Sequence, residues 1–252
     1  MLRTRVIPVL LVRNNGLVKT VKFDKSKYIG DPINAMKIFN DKEVDELVIL
    51  DIDASKTGKG PNYQFVRDIA SECFMPLGYG GGITTLDQIQ TLFAIGVEKT
   101  ILNTAALNNL SIVEEASRLF GDQSIVVSID VKKNWLGKYQ VYSHAGVKHS
   151  HSDVVTFLKS VEEAGAGEII LNAVDHDGCM EGFDLRLIEM ACKAVSIPVV
   201  VCGGAGTLSD LKKASDMGAS GVAAGSLFIY HGPHKAVLIN YPTQGELKKI
   251  LS

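Results

Sequence analysis

Short runs of almost purely apolar residues recur along the chain, and segments with a helical period of apolar positions separate them. Continuous apolar runs are typical of strands covered on both faces, as in a parallel sheet. The segments between them, such as Asp87–Phe93, Val154–Val161 and Leu208–Met217, predict amphipathic helices. The predicted strands are Val6–Val12, Leu47–Ile52, Met75–Tyr79, Lys99–Leu102, Ser124–Ile129, Glu168–Leu171, Ile197–Val201 and Gly221–Ala224.

Eight strands that alternate with helices over 252 residues predict an α/β fold, the (β/α)8 or TIM barrel, as a single domain over residues 1–252. An open doubly wound sheet is the alternative, although it does not require eight evenly spaced strands. One segment departs from the rhythm. Residues 135–142, from Trp135 to Tyr142, alternate in polarity around Gly137 and predict a two-stranded excursion after the fifth strand.

The two halves of the chain resemble each other at an offset of 122 residues. A fixed register across strands, loops and helices predicts two half-barrels of four strand–helix units each. At this offset Asp130 corresponds to Pro8, so this carboxylate is expected to have no counterpart in the first half. The shift relates Gly81 to Gly203, Gly82 to Gly204, Glu46 to Glu168, Asp53 to Asp175, Gly60 to Gly182 and Thr85 to Thr207.

Two glycine-rich segments each follow a predicted strand and open a predicted helix. Glycine lets backbone N–H groups approach a ligand closely, and a helix N-terminus adds positive potential, so both segments suit phosphate. The repeat then predicts a ligand with a phosphate or other anion at each end. Tight turns without any ligand are the alternative. The candidate residues are Gly81, Gly82, Gly203 and Gly204, with Asn103, Thr104, Gly225 and Ser226 one unit later.

Several carboxylates come at or just after the C-terminal ends of predicted strands, where the active sites of such barrels lie. Asp130 ends the fifth strand and is the candidate general acid or base. Asp53 and Asp175 are related by the repeat, which favours a role in shaping the mouth, and Asp175 is included among the ligand-binding candidates. The spacing of His, Cys and carboxylates indicates no metal site, and no cofactor is expected.

Composition excludes several functional classes. A formal net charge of −2 and an aromatic content of 7% argue against nucleic acid as a ligand. No apolar run approaches the ~20 residues that span a bilayer, and the N-terminus does not read as a signal peptide. Four cysteines lie far apart, as is usual for thiols in a reducing compartment. We therefore expect a cytoplasmic protein without nucleic-acid or membrane partners.

Together these segments resemble the cyclase subunit of imidazole glycerol phosphate synthase, the (β/α)8 half of a glutamine amidotransferase in histidine biosynthesis. The resemblance runs from Arg3 to about Phe228. It implies a heterodimer with a glutaminase subunit, ammonia that passes up the barrel, and a phosphoribulosyl bisphosphate substrate. The segments that carry it include residues 45–51, 80–83, 103–106, 128–130, 165–169, 175–178 and 203–206.

One departure from that family concerns the chemistry. The resemblance implies two acid–base aspartates, of which Asp130 matches the second, whereas Leu11 stands at the position of the first. Leu cannot transfer a proton, and such help is typically worth ~10²–10⁴-fold in rate. Lys19 is retained as a ligand-binding residue, and Thr20–Gly30 has the length expected of a mobile lid.

The opposite end of the barrel matches the family fully. Four charged residues, Arg5, Glu46, Lys99 and Glu168, stand at the N-terminal ends of four predicted strands. Two cations and two anions there could form a salt-bridge ring that only stabilises the fold, because that face usually serves stability. The resemblance implies instead the gate through which ammonia enters.

Three hypotheses about function remain open at the level of sequence. The first is closest to family paralogues associated with sugar amidation in surface-polysaccharide (O-antigen) pathways. It expects an ammonia-receiving subunit with weakened or lost cyclase activity, partnered by a glutaminase and an ATP-dependent sugar amidotransferase. The second is an active cyclase that tolerates Leu11. The third is a barrel that binds a phosphorylated small molecule without catalysis.

Overall fold

A computed structural model describes residues 3–143 and 153–251 of the chain. These residues form thirteen strands. In chain order they are β1 (Arg5–Arg13), β2 (Gly16–Lys19), β3 (Lys27–Gly30), β4 (Leu47–Asp51), β5 (Leu77–Gly80), β6 (Lys99–Leu102), β7 (Ile125–Lys133), β8 (Tyr139–Tyr142), β9 (Glu168–Ala173), β10 (Val199–Cys202), β11 (Gly221–Ala224), β12 (Tyr230–His231) and β13 (Ala236–Val237).

Eight of these strands pair side by side in parallel, in the order β1, β4, β5, β6, β7, β9, β10 and β11. The last strand returns to the first, with Arg5 opposite Gly221 and Pro8 opposite Ala224. This pairing closes the sheet and removes both of its edges. The predicted (β/α)8 barrel is therefore confirmed, and the open doubly wound sheet is wrong.

Apolar side chains fill both sides of the barrel wall, which is why the strands show no polar alternation. Val9, Ile101 and Val200 belong to a small cluster inside the barrel and are at most 4% exposed. A larger cluster, to which Leu47 and Val127 belong, lies between the wall and the helices. Complete burial of one such side chain stabilises the fold by about 1.5–3 kcal/mol, so both clusters hold the strands in register.

The helices alternate with the barrel strands and cover the outside of the wall. A short 3-10 turn, Asp122–Ser124, precedes β7. The α-helices are α1 (Pro32–Asp41), α2 (Ala54–Thr57), α3 (Tyr63–Ala70), α4 (Leu86–Ile95), α5 (Thr104–Asn108), α6 (Ser111–Phe120), α7 (Val154–Glu163), α8 (Leu185–Ala194), α9 (Leu208–Asp216), α10 (Ser226–Ile229) and α11 (Gln244–Leu251).

The three helices predicted from periodicity correspond to α4, α7 and α9. In α7 the predicted apolar positions, including Phe157 and Leu158, are buried against the wall. Asp153 begins this helix, because its side chain accepts a hydrogen bond from the N–H of Thr156 at 2.9 Å. Side-chain caps of this kind satisfy N–H groups that have no partner within the helix.

Antiparallel additions extend two barrel strands beyond the wall. Strands β2 and β3 continue from β1, so the last residues of the predicted lid, Lys27–Gly30, form a strand rather than a loop. Strand β8 pairs with the end of β7, and the predicted excursion is present there. Its first strand is the extension of β7 to Lys133, however, while Trp135 lies in the turn and is 90% exposed.

The half-barrel repeat is visible in the positions of the elements. Helices α1 and α7, and strands β6 and β11, are related by the predicted 122 residues at both ends. The first strands of the two halves are related by a different offset. Leu11 pairs with Leu50, whereas Asp130 pairs with Asn172, and Leu50 and Asn172 are themselves 122 residues apart.

Leu11 is therefore the structural counterpart of Asp130, and the assignment of Pro8 to that position is wrong. The offset between these two strands is 119 residues. Between Asp130 and its following helix the second half contains three more residues than the first half contains between Leu11 and its following helix, and they shift the sequence correspondence without moving the strand. Among the described helices, none is long and apolar enough to cross a membrane.

Candidate active site

The C-terminal ends of the barrel strands surround a cavity of about 740 Å³. Side chains inside the barrel, such as Val48 and Ile101, form its floor, and the loops after the strands form its rim. Ten of the eleven residues predicted to bind ligand or to react line this cavity. They are Lys19, Gly81, Gly82, Asn103, Thr104, Asp130, Gly203, Gly204, Gly225 and Ser226.

Asp175 is the predicted residue that does not line the cavity. Its Oδ2 accepts a hydrogen bond from the backbone N–H of Lys133 at 2.8 Å, so the carboxylate holds the hairpin of β7 and β8. The chain stays beside β7 at this point, since the N–H of Val174 donates to the carbonyl of Val131. The side chain that reaches the cavity is Asp177, two residues later.

Both glycine loops adopt backbone conformations that other residues rarely reach. Gly82 has φ +67° and Gly204 has φ +120°, and each loop packs on a second glycine-containing loop. A Cβ on Gly204 would lie 2.2 Å from the carbonyl oxygen of Gly182. A Cβ on Gly82 would lie 2.9 Å from the Cα of Gly60. Only glycine fits at these two points, and both loops expose main chain to the cavity.

Asp130 lies in the second half of the floor and is 8% exposed. The Nδ2 of Asn103 donates to its Oδ2 at 3.0 Å, and the Nδ2 of Asn172 donates to its Oδ1 at 3.3 Å. Burial raises the pKa of Asp130 to about 7, against the two amide hydrogen bonds and together with the nearby charge of Asp177. A carboxyl group with this pKa can both donate and accept a proton near neutral pH.

Lys19 and Asp177 lie at the rim beside the second half of the cavity. Lys19 is 6% exposed, and its Nζ sits against Gly225, where a Cβ would come within 2.2 Å of it. Burial raises the pKa of Asp177, while the charge of Lys19 and a hydrogen bond from the hydroxyl of Thr20 oppose that shift. A buried cation thus faces the mouth next to a carboxylate.

The first half of the floor lacks such groups. Leu11 and Leu50 are register partners and line the cavity where the second half has Asp130 and Asn172. Asp51 also lines the cavity, but its Oδ1 accepts from the N–H groups of Asp53, at 3.0 Å, and Ala54, at 3.1 Å, and so holds the turn that leads into α2. The floor is therefore polar on one side and apolar on the other.

A ring of ion pairs closes the N-terminal end of the barrel. Arg5 contacts both Glu46, at 2.5 Å, and Glu168. Lys99 also contacts both carboxylates, at 2.9 Å and 3.2 Å. The four residues predicted as a gate are therefore joined in one closed ring, and its carboxylates are at most 7% exposed. Above the ring the barrel interior is the apolar cluster that leads to the cavity floor.

A family model described as "Histidine biosynthesis protein" matches residues 5–235. The chain belongs to this family.

Three relatives match this chain over almost their whole length. "Putative imidazole glycerol phosphate synthase subunit hisF2" of Pseudomonas aeruginosa is 50% identical over 248 residues, which are 98% of this chain and 99% of that protein. "Putative imidazole glycerol phosphate synthase subunit HisF" of Leptospira interrogans is 49% identical over 97% of both chains. A third relative, "Putative imidazole glycerol phosphate synthase subunit hisF3" of Vibrio vulnificus, is 50% identical over 100% of this chain and 97% of that protein.

One residue of the cavity floor, Asn172, was not predicted from the sequence. Asn172 holds Asp130, although only the pairing of β7 with β9 brings the two side chains together. A polar residue one position before the end of β9 was the available signal. No group of described residues could hold a metal ion.

Proposed function

We propose that this chain is the synthase-type subunit of a glutamine amidotransferase. It receives ammonia from a glutaminase partner at the N-terminal face and conducts it through the barrel to the cavity at the mouth. The observation that carries this proposal is the closed ring of Arg5, Glu46, Lys99 and Glu168 beneath an apolar interior. The packed apolar interior connects this ring to the cavity, so ammonia crossing between the two ends would meet no charged side chain of the described cluster.

The interior suits ammonia and excludes its conjugate acid. Neutral ammonia loses few interactions when it leaves water, whereas an ammonium ion in an apolar passage without a counter-ion is strongly disfavoured. Val48, Ile101 and Ile170 belong to this packed interior, and no charged side chain belongs to the described cluster. Ammonia that enters at the N-terminal face would therefore cross the interior unprotonated. Its entry requires the ion-pair ring to open when the partner binds.

Loss of the original cyclisation is the second part of the proposal, and Leu11 supports it. Two acid–base groups would be needed, and the counterpart of Asp130 in the first half is this aliphatic residue. Asp130 alone retains a proton near neutral pH, so one proton-transfer step remains possible. The missing partner costs ~10²–10⁴-fold in rate.

For the acceptor of the ammonia we propose a sugar of a surface polysaccharide. On this view an ATP-dependent sugar amidotransferase activates the acceptor, and the barrel supplies ammonia rather than closing an imidazole ring. The resemblance to paralogues of such pathways supports this assignment. Leu11 fits it as well, because delivery of ammonia requires no second acid–base group at the floor.

The test is a coupled assay with the glutaminase of the same organism. The chain should stimulate glutamine hydrolysis by about tenfold or more, within the usual range of coupling between sites. Lys99→Met removes one cation of the ring and should uncouple hydrolysis from ammonia delivery. Lys159→Met, an exposed lysine on α7, is the matched control and should behave as the unmodified chain. Absence of both binding and stimulation would reject the proposal.

An active cyclase of histidine biosynthesis is the second candidate. The descriptions of the three relatives favour it, and Asp130 is present with a pKa suited to proton transfer. Its mark would be ammonia-dependent turnover of the phosphoribulosyl bisphosphate, abolished by Asp130→Asn. Tight phosphate binding with neither turnover nor a glutaminase partner would instead indicate a ligand-binding barrel.

A further inference from the structure

Two repeat-related loops at the mouth of the barrel differ in charge. Residues 53–60 contain Lys56, Lys59 and one aspartate, a net charge of +1. Residues 175–182 contain two aspartates and one glutamate but no lysine or arginine, a net charge of −3. At the offset of 122, Lys56 corresponds to Gly178 and Lys59 to Glu181. The difference arises within one scaffold, so the fold itself does not require it.

Each of these loops packs directly on one of the glycine loops. In the first half, the N–H of Gly82 donates to the hydroxyl of Ser55 at 3.2 Å. In the second half, the N–H of Gly182 donates to the carbonyl of Gly204 at 2.8 Å. The charge difference therefore lies beside the two predicted anion sites, where it would act on a bound ligand.

Further cations line the first half of the cavity. Arg13 binds both carboxylate oxygens of Asp53, at 2.7 Å and 2.8 Å, and so neutralises the one anion of that loop. Lys25, Lys56 and Lys59 line the same cavity, are exposed, and make no ion pair with a described carboxylate.

The second half offers much less positive charge. Its loop contributes Gly178 and Met180 to the lining, together with Asp177. Lys19 is the cation beside this half, and its charge is shared with Asp177. Electrostatic complementarity would therefore orient a two-ended ligand, with the more anionic end at Gly82.

We propose that the ligand is asymmetric: a diphosphate group binds at the Gly81–Gly82 loop, and an end with no more than one phosphate binds at the Gly203–Gly204 loop. A diphosphate presents two adjacent anionic groups, and Lys56, Lys59 and Lys25 can each face one of them. The charges that line the cavity differ in this sense, since Lys56 and Lys59 line its first half and Asp177 lines its second. The inference rests on the anion-binding mouth of the proposed function.

Calorimetric titration of the full chain with inorganic pyrophosphate and with orthophosphate, at one ionic strength, tests the proposal. Pyrophosphate should bind about tenfold more tightly or better. Lys56→Ala combined with Lys59→Ala should abolish that preference. Lys42→Ala combined with Lys159→Ala removes two exposed lysines outside the cavity and should leave it unchanged.

Equal affinity for pyrophosphate and orthophosphate would overturn the inference. An equal loss of the pyrophosphate preference in the two double variants would overturn it too, because Lys56 and Lys59 would then not be its cause. The coupled glutaminase assay uses no ligand at the mouth and is run on the same preparations. Stimulation of the glutaminase without a preference for pyrophosphate would reject the asymmetric ligand alone. Preference for pyrophosphate without stimulation would retain the site and reject the proposed function.

Discussion

Asp130 and Leu11 occupy equivalent places in the two half-barrels, yet their surroundings differ. Asp130 is held by the amides of Asn103 and Asn172, whereas Leu11 neighbours Leu50. The change to an apolar floor therefore involves a register pair rather than one isolated residue. The amides that hold Asp130 prevent its burial from raising the pKa further.

A carboxylate at position 11 should recover part of the cyclase chemistry. Leu11→Asp places an acid–base group at the counterpart of Asp130 and should raise ammonia-dependent turnover of the bisphosphate by ~10²-fold or more. Leu50→Asp makes the same change of charge at the register partner and serves as the control. Equal turnover by the two variants, both folded by thermal unfolding, would contradict the assignment of Leu11.

The raised pKa of Asp130 predicts a pH dependence of stability. Its pKa is about 7 in the folded chain, above the ordinary 3.8 of an aspartate in the unfolded chain, so the folded state binds more protons between these pH values. The contribution of Asp130 to the free energy of unfolding must therefore fall as the pH rises from about 4 to 7. Urea unfolding at several pH values should show a weaker decline for Asp130→Asn. An unchanged decline would indicate an ordinary pKa.

At the scale of elements, the two repeat-related loops are built from glycine because each meets a second loop without room for a side chain. Gly204 lies against Gly182, and a capping interaction follows at Thr207, whose hydroxyl lies 2.9 Å from the carboxylate of Asp210. The helix start and the close approach of the main chains thus position the same loop. The first half repeats this arrangement at Gly82 and Thr85.

Gly204→Ala should weaken both folding and anion binding. The added Cβ would lie 2.2 Å from the carbonyl of Gly182, so the two loops must separate. Gly96→Ala is the matched control, because its φ of +113° is close to the +120° of Gly204 while the nearest atom lies 3.8 Å from the new Cβ. Backbone strain of about 1–3 kcal/mol is common to both. Urea unfolding should show a larger loss of stability for Gly204→Ala than for Gly96→Ala, because only the first variant meets the carbonyl of Gly182. Equal losses would contradict an effect of that contact.

At the scale of the whole molecule, three features follow one another along the barrel axis. The ion-pair ring lies at the N-terminal end, the apolar interior in the middle and the glycine loops, which we propose bind anions, at the C-terminal end. The duplication supplies two similar mouths, and later differences such as Leu11 and Lys59 give each half its own chemistry. Binding and reaction can therefore change separately in this fold.

Much of the site could be predicted because its glycine loops and strand ends are local features. Gly82 and Gly204 were found from their position between a strand and a helix. Asp175 was misplaced and Asn172 was missed, since the orientation of a side chain after a strand depends on the neighbouring strand. The correspondence of Asp130 with Leu11 likewise needed the strand pairing, because three added residues hide it in the sequence.

The sequence by itself determined the alternation of strands and helices, the duplication and the identity of the charged residues at either end. Apolar periodicity and glycine placement act over a few residues, so the chain displays them directly. Only the tertiary structure decided that Arg5, Glu46, Lys99 and Glu168 form one ring, and that the floor is polar on one side and apolar on the other. These contacts join residues from distant strands, whose register is set by the closure of the barrel.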